Sequence, residues 1–275
     1  MPLTELMNYF NDQLKPQARS QSLPATGFYK VGNSYGARFG SLTFSSRFSE
    51  IKRPFEQSNI VGHHADLLVR TVTGKKSTIN EVAQSLDSAD QIIHLDRLTR
   101  TLHSLNYLQG YDNKALLSLA VQSRHILSVT AEHGKTFEGI LSDCGLEPER
   151  VLLHTRLLDL ATLPHFRNAF IGYRSRGYKI GIDIWHEGDL TLLKQLALAP
   201  EFILYHLPSI ASHTALPGQN FPSTWPASFR FFNDAKSILI DPDQVLLDKL
   251  EIPNFYGYIS TTEASDNFDR RRSLA

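Results

Sequence analysis

Short apolar segments rich in β-branched residues alternate with longer segments of helical periodicity from about residue 39 to residue 262. The segment 89–109 is the clearest helix, because Leu95, Leu98, Leu102 and Leu105 recur at helical spacing and form one apolar face. Further helices are predicted at 129–145, 163–177, 189–199 and 241–250. The apolar runs predict strands at 41–44, 65–72, 115–121, 150–155, 179–185, 202–207, 236–240 and 254–259.

This alternation of strands and helices predicts a parallel sheet with helices packed outside it. About eight strands within one domain favour a TIM-type barrel over an open doubly wound sheet. A Rossmann fold is not indicated, because no glycine-rich phosphate loop follows an early strand. We therefore expect a modified TIM-type (β/α) barrel over residues 39–262, with any functional site at the carboxyl ends of its strands.

Residues 1–38 differ from the rest and are predicted to be an N-terminal helix and linker. Leu3, Leu6, Met7, Phe10 and Leu14 recur at helical spacing, whereas residues 17–36 have the Ser, Pro, Gly and Gln content of a loop. The apolar stripe must be buried either on the barrel or on a second chain. We favour a second chain, and so a homo-oligomer formed through the helix, because the barrel pattern looks complete without it. Residues 263–275 are predicted to be a polar C-terminal tail.

Composition excludes several classes of protein. The chain has 28 basic and 28 acidic residues, so nothing indicates a nucleic-acid-binding protein. A single cysteine, Cys144, cannot form an internal disulfide, and no apolar run reaches the roughly 18 residues of a membrane span. We expect a cytoplasmic protein without a membrane anchor.

Polar side chains at the predicted strand ends are the candidates for chemistry. Asp66, His154, Asp183 and His206 are all residue types that bind metals, and they belong to the correct end of a barrel. They come from separate strands, however, and no short ligand spacing such as HxH or HExxH occurs. We therefore expect no metal site. We interpret the adjacent His63 and His64 as polar residues of a loop rather than as functional residues.

Seven segments, in order and on the predicted elements, resemble the EAL domain, a bacterial family that hydrolyses cyclic di-GMP. GYKIGIDIWHEGDLTL at 177–192 aligns without gaps with the family pattern GvriALDDFGTGYSSL. The resemblance covers about four-fifths of the chain. It implies a barrel whose carboxylates and an Asn hold two divalent cations for attack of water on a phosphodiester. The other six similar segments are 60–70, 94–105, 117–124, 150–157, 200–207 and 255–260.

The resemblance also implies where the functional residues of the family would fall. The glutamate of the EAL motif falls on His64, or on Asp66 if two residues are inserted, and we prefer Asp66 because Arg70 then matches the family's Arg. The metal-binding Asn falls on Ala120, the third-segment glutamate on His154, the aspartate pair on Asp183 and Ile184, the lysine on Leu204, the next aspartate on His206 and the glutamine on Tyr256.

These replacements leave at most two oxygen ligands, Asp66 and Asp183, which are too few for two hard cations. The resemblance thus implies a catalytically inactive EAL-like domain that needs no cofactor. We expect it to act as a regulatory protein–protein interaction module in bacterial signalling. Its partner cannot be named from the sequence.

Two alternatives remain at this point. One is a non-hydrolysing cyclic di-GMP receptor, for which Arg70 would be the phosphate contact. We do not expect this binding, because Trp185 and His186 are bulky where the family has small residues and would fill the pocket. The other is a rebuilt metal-dependent hydrolase that uses the four strand-end side chains named above.

Overall fold

The computed structural model describes residues 2–20, 23–53, 60–111, 115–129, 133–207, 234–242, 247 and 255–261. Its helices are α1 (Leu3–Ser20), α2 (Ile79–Gln84), α3 (Ala89–Gly110), α4 (Ser123–Ser128), α5 (Lys135–Cys144), α6 (Leu163–Arg174) and α7 (Glu187–Gln195). Its strands are β1 (Thr26–Val31), β2 (Ser34–Phe39), β3 (Leu42–Lys52), β4 (Ile60–Thr71), β5 (Lys76–Ser77), β6 (Leu116–Ala120), β7 (Val151–Thr155), β8 (Lys179–Ile184), β9 (Phe202–His206), β10 (Lys236–Ile240) and β11 (Phe255–Ile259).

Eight of these strands close into a barrel in the order β3-β11-β10-β9-β8-β7-β6-β4, and β4 pairs back onto β3. Seven strands run parallel, and β3 is antiparallel to both of its neighbours. The predicted modified TIM-type barrel is thus confirmed. The first strand was predicted too short, at 41–44, and it is not part of the parallel set.

Two apolar layers hold the barrel together. One lies between the sheet and the helices, and it includes the predicted α3 face: Leu95, Leu98, Leu102 and Leu105 are all fully buried. The other fills the barrel interior below its mouth, so that the mouth rests on an apolar floor. The buried members of this inner layer are Ile51, Leu116, Leu152, Phe202, Leu204, Ile238, Ile240 and Ile259.

The predicted N-terminal linker is wrong, because residues 26–39 form the β1–β2 hairpin that extends the sheet from β3. The two strands join at a two-residue turn in which Gly32 has φ 56°, a conformation that glycine adopts without steric cost. Part of the Ser, Pro, Gly and Gln content that indicated a loop belongs to this turn, and part belongs to small residues within the strands, Gly27, Ser34 and Gly36.

The prediction that helix α1 packs on a second chain is also wrong. Its apolar stripe lies on its own chain, mainly against β1, and Leu6, Met7 and Phe10 are each at most 8% exposed. The stripe is therefore already buried, and it supplies no reason for a homo-oligomer through this face.

Other differences are local. Strand β4 begins at Ile60, so His63 and His64 are buried strand residues rather than loop polarity. Helices α2 and α4 and the short β5 were not predicted, and α5 begins at Lys135 rather than at 129. Most of the predicted helix 241–250 and the whole tail 263–275 lie outside the described residues. None of the described helices is both long and apolar enough to cross a membrane.

Candidate functional site

Asp183 is the centre of a polar cluster at the mouth of the barrel. It lies near the carboxyl end of β8, between His154 on β7 and His206 on β9, and it is only 7% exposed. The Nδ1 atom of His154 donates to the Asp183 carboxylate at 2.9 Å, and the Nε2 atom of His206 donates to it at 2.9 Å. Three of the strand ends singled out from the sequence therefore meet in one hydrogen-bonded group.

The surroundings of Asp183 favour its ionised form. Burial alone would raise the pKa of Asp183, but the charge of His154 and the hydrogen bonds from His154 and His206 outweigh it, and the pKa lies far below the ordinary aspartate value. Because an ionised carboxylate only accepts hydrogen bonds, both ring nitrogens that face it carry protons. Asp183 is thus an ion held between two imidazole donors.

Asp66 has a counter-charge of its own. Arg47 on β3 lies directly opposite Asp66 on β4. It donates to the Asp66 Oδ2 atom from Nη2 at 3.0 Å and from Nε at 3.3 Å. His64 Nε2 lies 3.6 Å from the other carboxylate oxygen. Burial opposes ionisation of Asp66, but its contacts with His64 and Arg47 hold its pKa far below the ordinary value. Both candidate carboxylates of the mouth are therefore ionised and paired.

His64 connects the two carboxylate groups. Its Nδ1 atom is 3.2 Å from the hydroxyl of Ser118 on β6, and its ring centroid is 5.1 Å from that of His154. The Nε2 atom of His154 is buried and has no hydrogen-bond partner within the described part of the chain. Ring packing, rather than a hydrogen bond, therefore joins the Asp66 side of the mouth to the Asp183 side.

Trp185 covers the Asp183 side of the mouth. Its ring is stacked on His206, with centroids 3.7 Å apart and planes at 11°. Asp189 on α7 accepts a hydrogen bond from the Trp185 backbone N–H at 2.8 Å and from Arg156 Nε at 3.2 Å. The expectation that Trp185 occupies the pocket region fits this position, since the indole lies flat on one of the two imidazoles that hold Asp183.

The remaining positions assigned from the resemblance do not join the cluster. Arg70 lies four residues beyond Asp66 on the exposed end of β4, where its Nη1 atom donates to the carbonyl of Gly74 at 3.4 Å. Ala120 is exposed at the end of β6. Leu204 belongs to the apolar floor inside the barrel, and Ile184 faces the outer layer under the helices.

Tyr256 was assigned to the same site, but the structure places it at the opposite end of the barrel. Its hydroxyl donates to the carbonyl of Val61 near the start of β4 at 3.3 Å, and its ring packs edge-on against Phe202 at the start of β9. Lys236, the first residue of β10, lies 5.3 Å from the centre of the same ring. Tyr256 is the second residue of β11, so it lies near the amino-terminal end of that parallel strand and far from the mouth.

Sequence reasoning missed two residues of the cluster, Arg47 and Ser118, and it interpreted His64, the alternative position of the EAL glutamate, as a polar loop residue. Arg47 faces Asp66 only because β3 is antiparallel and eleven residues long, and the segment 45–52 was too polar to be recognised as a strand. Ser118 is fully buried and points into the barrel from β6. The alternation of β4 itself was the available signal for His64, since residues 64 and 66 share one face of a strand.

The mouth does not fit the two divalent cations that the resemblance implies. Both carboxylates accept hydrogen bonds from cationic or imidazole donors, and the positions expected to complete the ligand set carry Ala120 and Ile184, which offer no side-chain oxygen. Within the described ranges, no three His, Cys, Asp or Glu side chains are grouped to hold a metal ion. His154 Nδ1 and His206 Nε2 both lie within hydrogen-bond distance of the Asp183 Oδ1 atom, at 3.0 and 2.9 Å.

Comparison with known proteins gives a fold but no sequence match. No family model matches the chain, and no curated protein matches it. A standalone EAL protein from Vibrio cholerae, solved with cyclic di-GMP bound, is similar in structure over 79% of this chain and 89% of its own, with TM-score 0.60 and 13% identity. The EAL domain of Xanthomonas citri FimX, in complex with cyclic di-GMP, is similar over 80% and 87%, with TM-score 0.58 and 16% identity.

The Bacillus subtilis protein YkuI, which has an EAL domain and was solved with cyclic di-GMP and calcium, is similar over 74% of this chain, with TM-score 0.55 and 14% identity. The present chain spans only half of the length of YkuI. At these identities the likeness concerns the fold alone. The chain therefore has the fold of EAL domains, as the seven similar segments predicted.

Proposed function

We propose that this protein is a catalytically inactive EAL-like domain that acts in bacterial cyclic di-GMP signalling as a regulatory module binding another protein. One observation carries the proposal: the Asp183 carboxylate lies between the protonated nitrogens of His154 and His206. The position where a hydrolase of this fold needs cations is taken by the chain's own imidazoles.

The chemistry of Mg²⁺ and Mn²⁺ supports inactivity. A hard cation prefers about six oxygen ligands, and it would have to displace an imidazole from Asp183 and the guanidinium of Arg47 from Asp66. Displacing the guanidinium leaves the Arg47 cation unpaired, and displacing an imidazole leaves a buried ring N–H without its acceptor. Both changes are unfavourable. Activation of water by a metal is the step that hydrolysis of this kind requires, and the described residues give it no support.

Incubation of the purified protein with cyclic di-GMP and either Mg²⁺ or Mn²⁺ tests the proposal, with nucleotide products separated by chromatography. The expected result is no product above a protein-free control. Turnover that disappears in Asp183→Ala would overturn the proposal, because it would place Asp183 in a working active site.

One observation favours the non-hydrolysing receptor as a second candidate. Trp185 is half-buried and held flat by His206 and Asp189, so it offers a rigid aromatic face at the mouth of the barrel. Nucleobases stack on such faces. Calorimetric titration with cyclic di-GMP in EDTA separates the two candidates: saturable binding that is weakened by Trp185→Ala supports the receptor, and the absence of heat supports the protein-binding module.

A further inference from the structure

Strand β1 lies at one end of the sheet that the described strands form, and β5 lies at the other. Strand β1 pairs only with β2, and Gly40 N–H donates to the Ala25 carbonyl at 2.8 Å just before that pairing begins. Hydrogen-bonded pairs alternate with non-bonded pairs along an antiparallel ladder. The N–H and C=O groups of Thr26, Phe28 and Lys30 therefore point away from β2, towards the position of a further strand.

Asn11 of α1 occupies that position at Phe28. The Phe28 N–H donates to Asn11 Oδ1 at 2.7 Å, and Asn11 Nδ2 donates to the Phe28 carbonyl at 2.9 Å. These are the two hydrogen bonds that a residue of a paired strand would make. Gly27 allows the close approach, because a Cβ atom there would lie 3.2 Å from Asn11 Oδ1.

An asparagine side chain also bonds both backbone groups of one strand residue inside the protein, where β2 and β3 separate. Asn106 of α3 accepts from the Tyr35 N–H at 2.8 Å and donates to the Tyr35 carbonyl at 2.9 Å. A side-chain amide thus completes a strand edge twice in this chain. At Tyr35 the amide fills an internal gap, whereas at Phe28 it closes an edge that could otherwise continue the sheet.

We propose that α1 is a strap that closes the edge of β1, and that its release allows β1 to pair with β1 of a second copy of this chain. The occupant is a peptide backbone, because Asn11 supplies the donor and acceptor that a backbone would supply. An antiparallel pair centred on Phe28 places Thr26 opposite Lys30 of the second copy, so the two Lys30 ammonium groups do not face each other. Such an isologous contact is the commonest form of dimer.

Helix α1 is suited to detachment. It packs mainly on β1 and less on α3, and Pro16 within it removes a helical hydrogen bond. An isolated helix of 18 residues is marginal in water, so most of its stability comes from the buried face of Leu6, Met7 and Phe10. This inference rests on the proposed function in one respect: the β1 edge would be the surface through which the proposed protein-binding module contacts another chain.

Light scattering of the full-length chain over a range of concentrations tests the inference. Asn11→Ala removes the two edge bonds, and Phe10→Asp undocks the helix if the loss of Asn11 alone is too small. Asn8→Ala, an exposed asparagine on the same helix, is the matched control. We expect at least one of the first two variants to raise the dimer fraction severalfold over the wild type while Asn8→Ala does not.

Lys30→Pro in the dimerising background identifies the surface, since proline removes the edge N–H of an exposed position. We expect it to restore the mass distribution of the wild type. Unchanged mass in folded Asn11→Ala and Phe10→Asp would overturn the inference, and so would a dimer that survives Lys30→Pro. The light-scattering experiment contains no dinucleotide and no divalent cation. Its failure would therefore leave the proposed inactivity untouched, and product in the hydrolysis assay would leave this inference untouched.

Discussion

The Nδ1 atom of His154 donates to the Asp183 carboxylate at 2.9 Å and joins the end of β7 to the end of β8 within the barrel. The resemblance to EAL domains assigns a glutamate to the position of His154. Two carboxylates this close would repel each other and would need cations to hold them together. With an imidazole at one of the two positions, attraction replaces repulsion, and the mouth holds together through its own side chains.

Asp183→Asn should destabilise the protein more than Asp66→Asn. The asparagine amide can accept a hydrogen bond from one imidazole, but its NH₂ group then faces the other, and a buried donor left unpaired costs about 1–3 kcal/mol. The side chain of Asp66 is 29% exposed and its partner Arg47 27% exposed, so this pair should contribute about 1 kcal/mol or less. Urea unfolding at about pH 7 measures both changes. The reverse order would contradict the central position given to Asp183.

The buried pair of Asp96 and Arg100 on α3 should show strong coupling. Both side chains are at most 3% exposed, and the guanidinium of Arg100 also lies 4.3 Å from the centre of the Phe137 ring. Arg100→Met leaves the buried Asp96 carboxylate without its guanidinium partner, with the His125 ring 3.5 Å away, and should cost about 3–5 kcal/mol. The double variant Asp96→Leu/Arg100→Met should recover part of this loss. Additive single and double changes in the free energy of unfolding would show that the two residues do not interact.

Acid should destabilise the protein through its buried histidines. Burial lowers the pKa of His103 to about 4, although the nearby charge of Asp66 opposes the change, and burial lowers the pKa of His125 to about 4 as well. Unfolded imidazoles titrate near 6.5, so between about pH 6.5 and pH 4 the unfolded chain binds more protons than the folded chain. The free energy of unfolding should therefore fall as the pH is lowered through this window, and should be insensitive to these groups above it.

Urea unfolding at about pH 7.5, 6 and 5 measures this slope, and His103→Gln is the control that should reduce it. The lowered pKa values of Asp66 and Asp183 act in a separate window, because the stability that those carboxylates contribute is lost only as the pH falls below about 4. Stability that stays constant between about pH 7.5 and pH 5 would contradict the burial of neutral imidazoles.

Local periodicity was sufficient to predict much of the barrel from sequence. Helix α3 and the parallel strands β6 to β10 carry continuous apolar patterns, and they occur within a few residues of their predicted positions. The side chains of His154, Asp183 and His206 could be placed at one rim, because the carboxyl ends of parallel strands share it. Their mutual hydrogen bonds depend on strand stagger, which residue spacing does not contain.

The features that could not be predicted depend on long-range pairing. Strand β3 has polar residues on both faces: Arg47 and Ser49 point into the barrel, and Ser46 contacts α3. Its sequence pattern therefore resembles that of a loop. Asn11 on α1 and Asn106 on α3 stabilise the β1–β2 hairpin through hydrogen bonds to its backbone. The local sequence around either asparagine does not indicate this role. Tyr256 was placed at the wrong end of the barrel for a different reason: it is the second residue of β11, so it lies near the start of that strand rather than at the mouth.

Thermal unfolding of the wild type in saturating Mn²⁺, compared with excess EDTA, most directly tests whether His154, His206 and Arg47 have taken the place of metal ions. A cation present at about one hundred times its dissociation constant would add about 2.7 kcal/mol of stability and raise the melting midpoint by several degrees. We predict that the two midpoints agree within about 1 °C. A midpoint that falls by several degrees in EDTA, and no longer does so in Asp183→Asn, would show that a metal binds at Asp183 and would contradict the proposal.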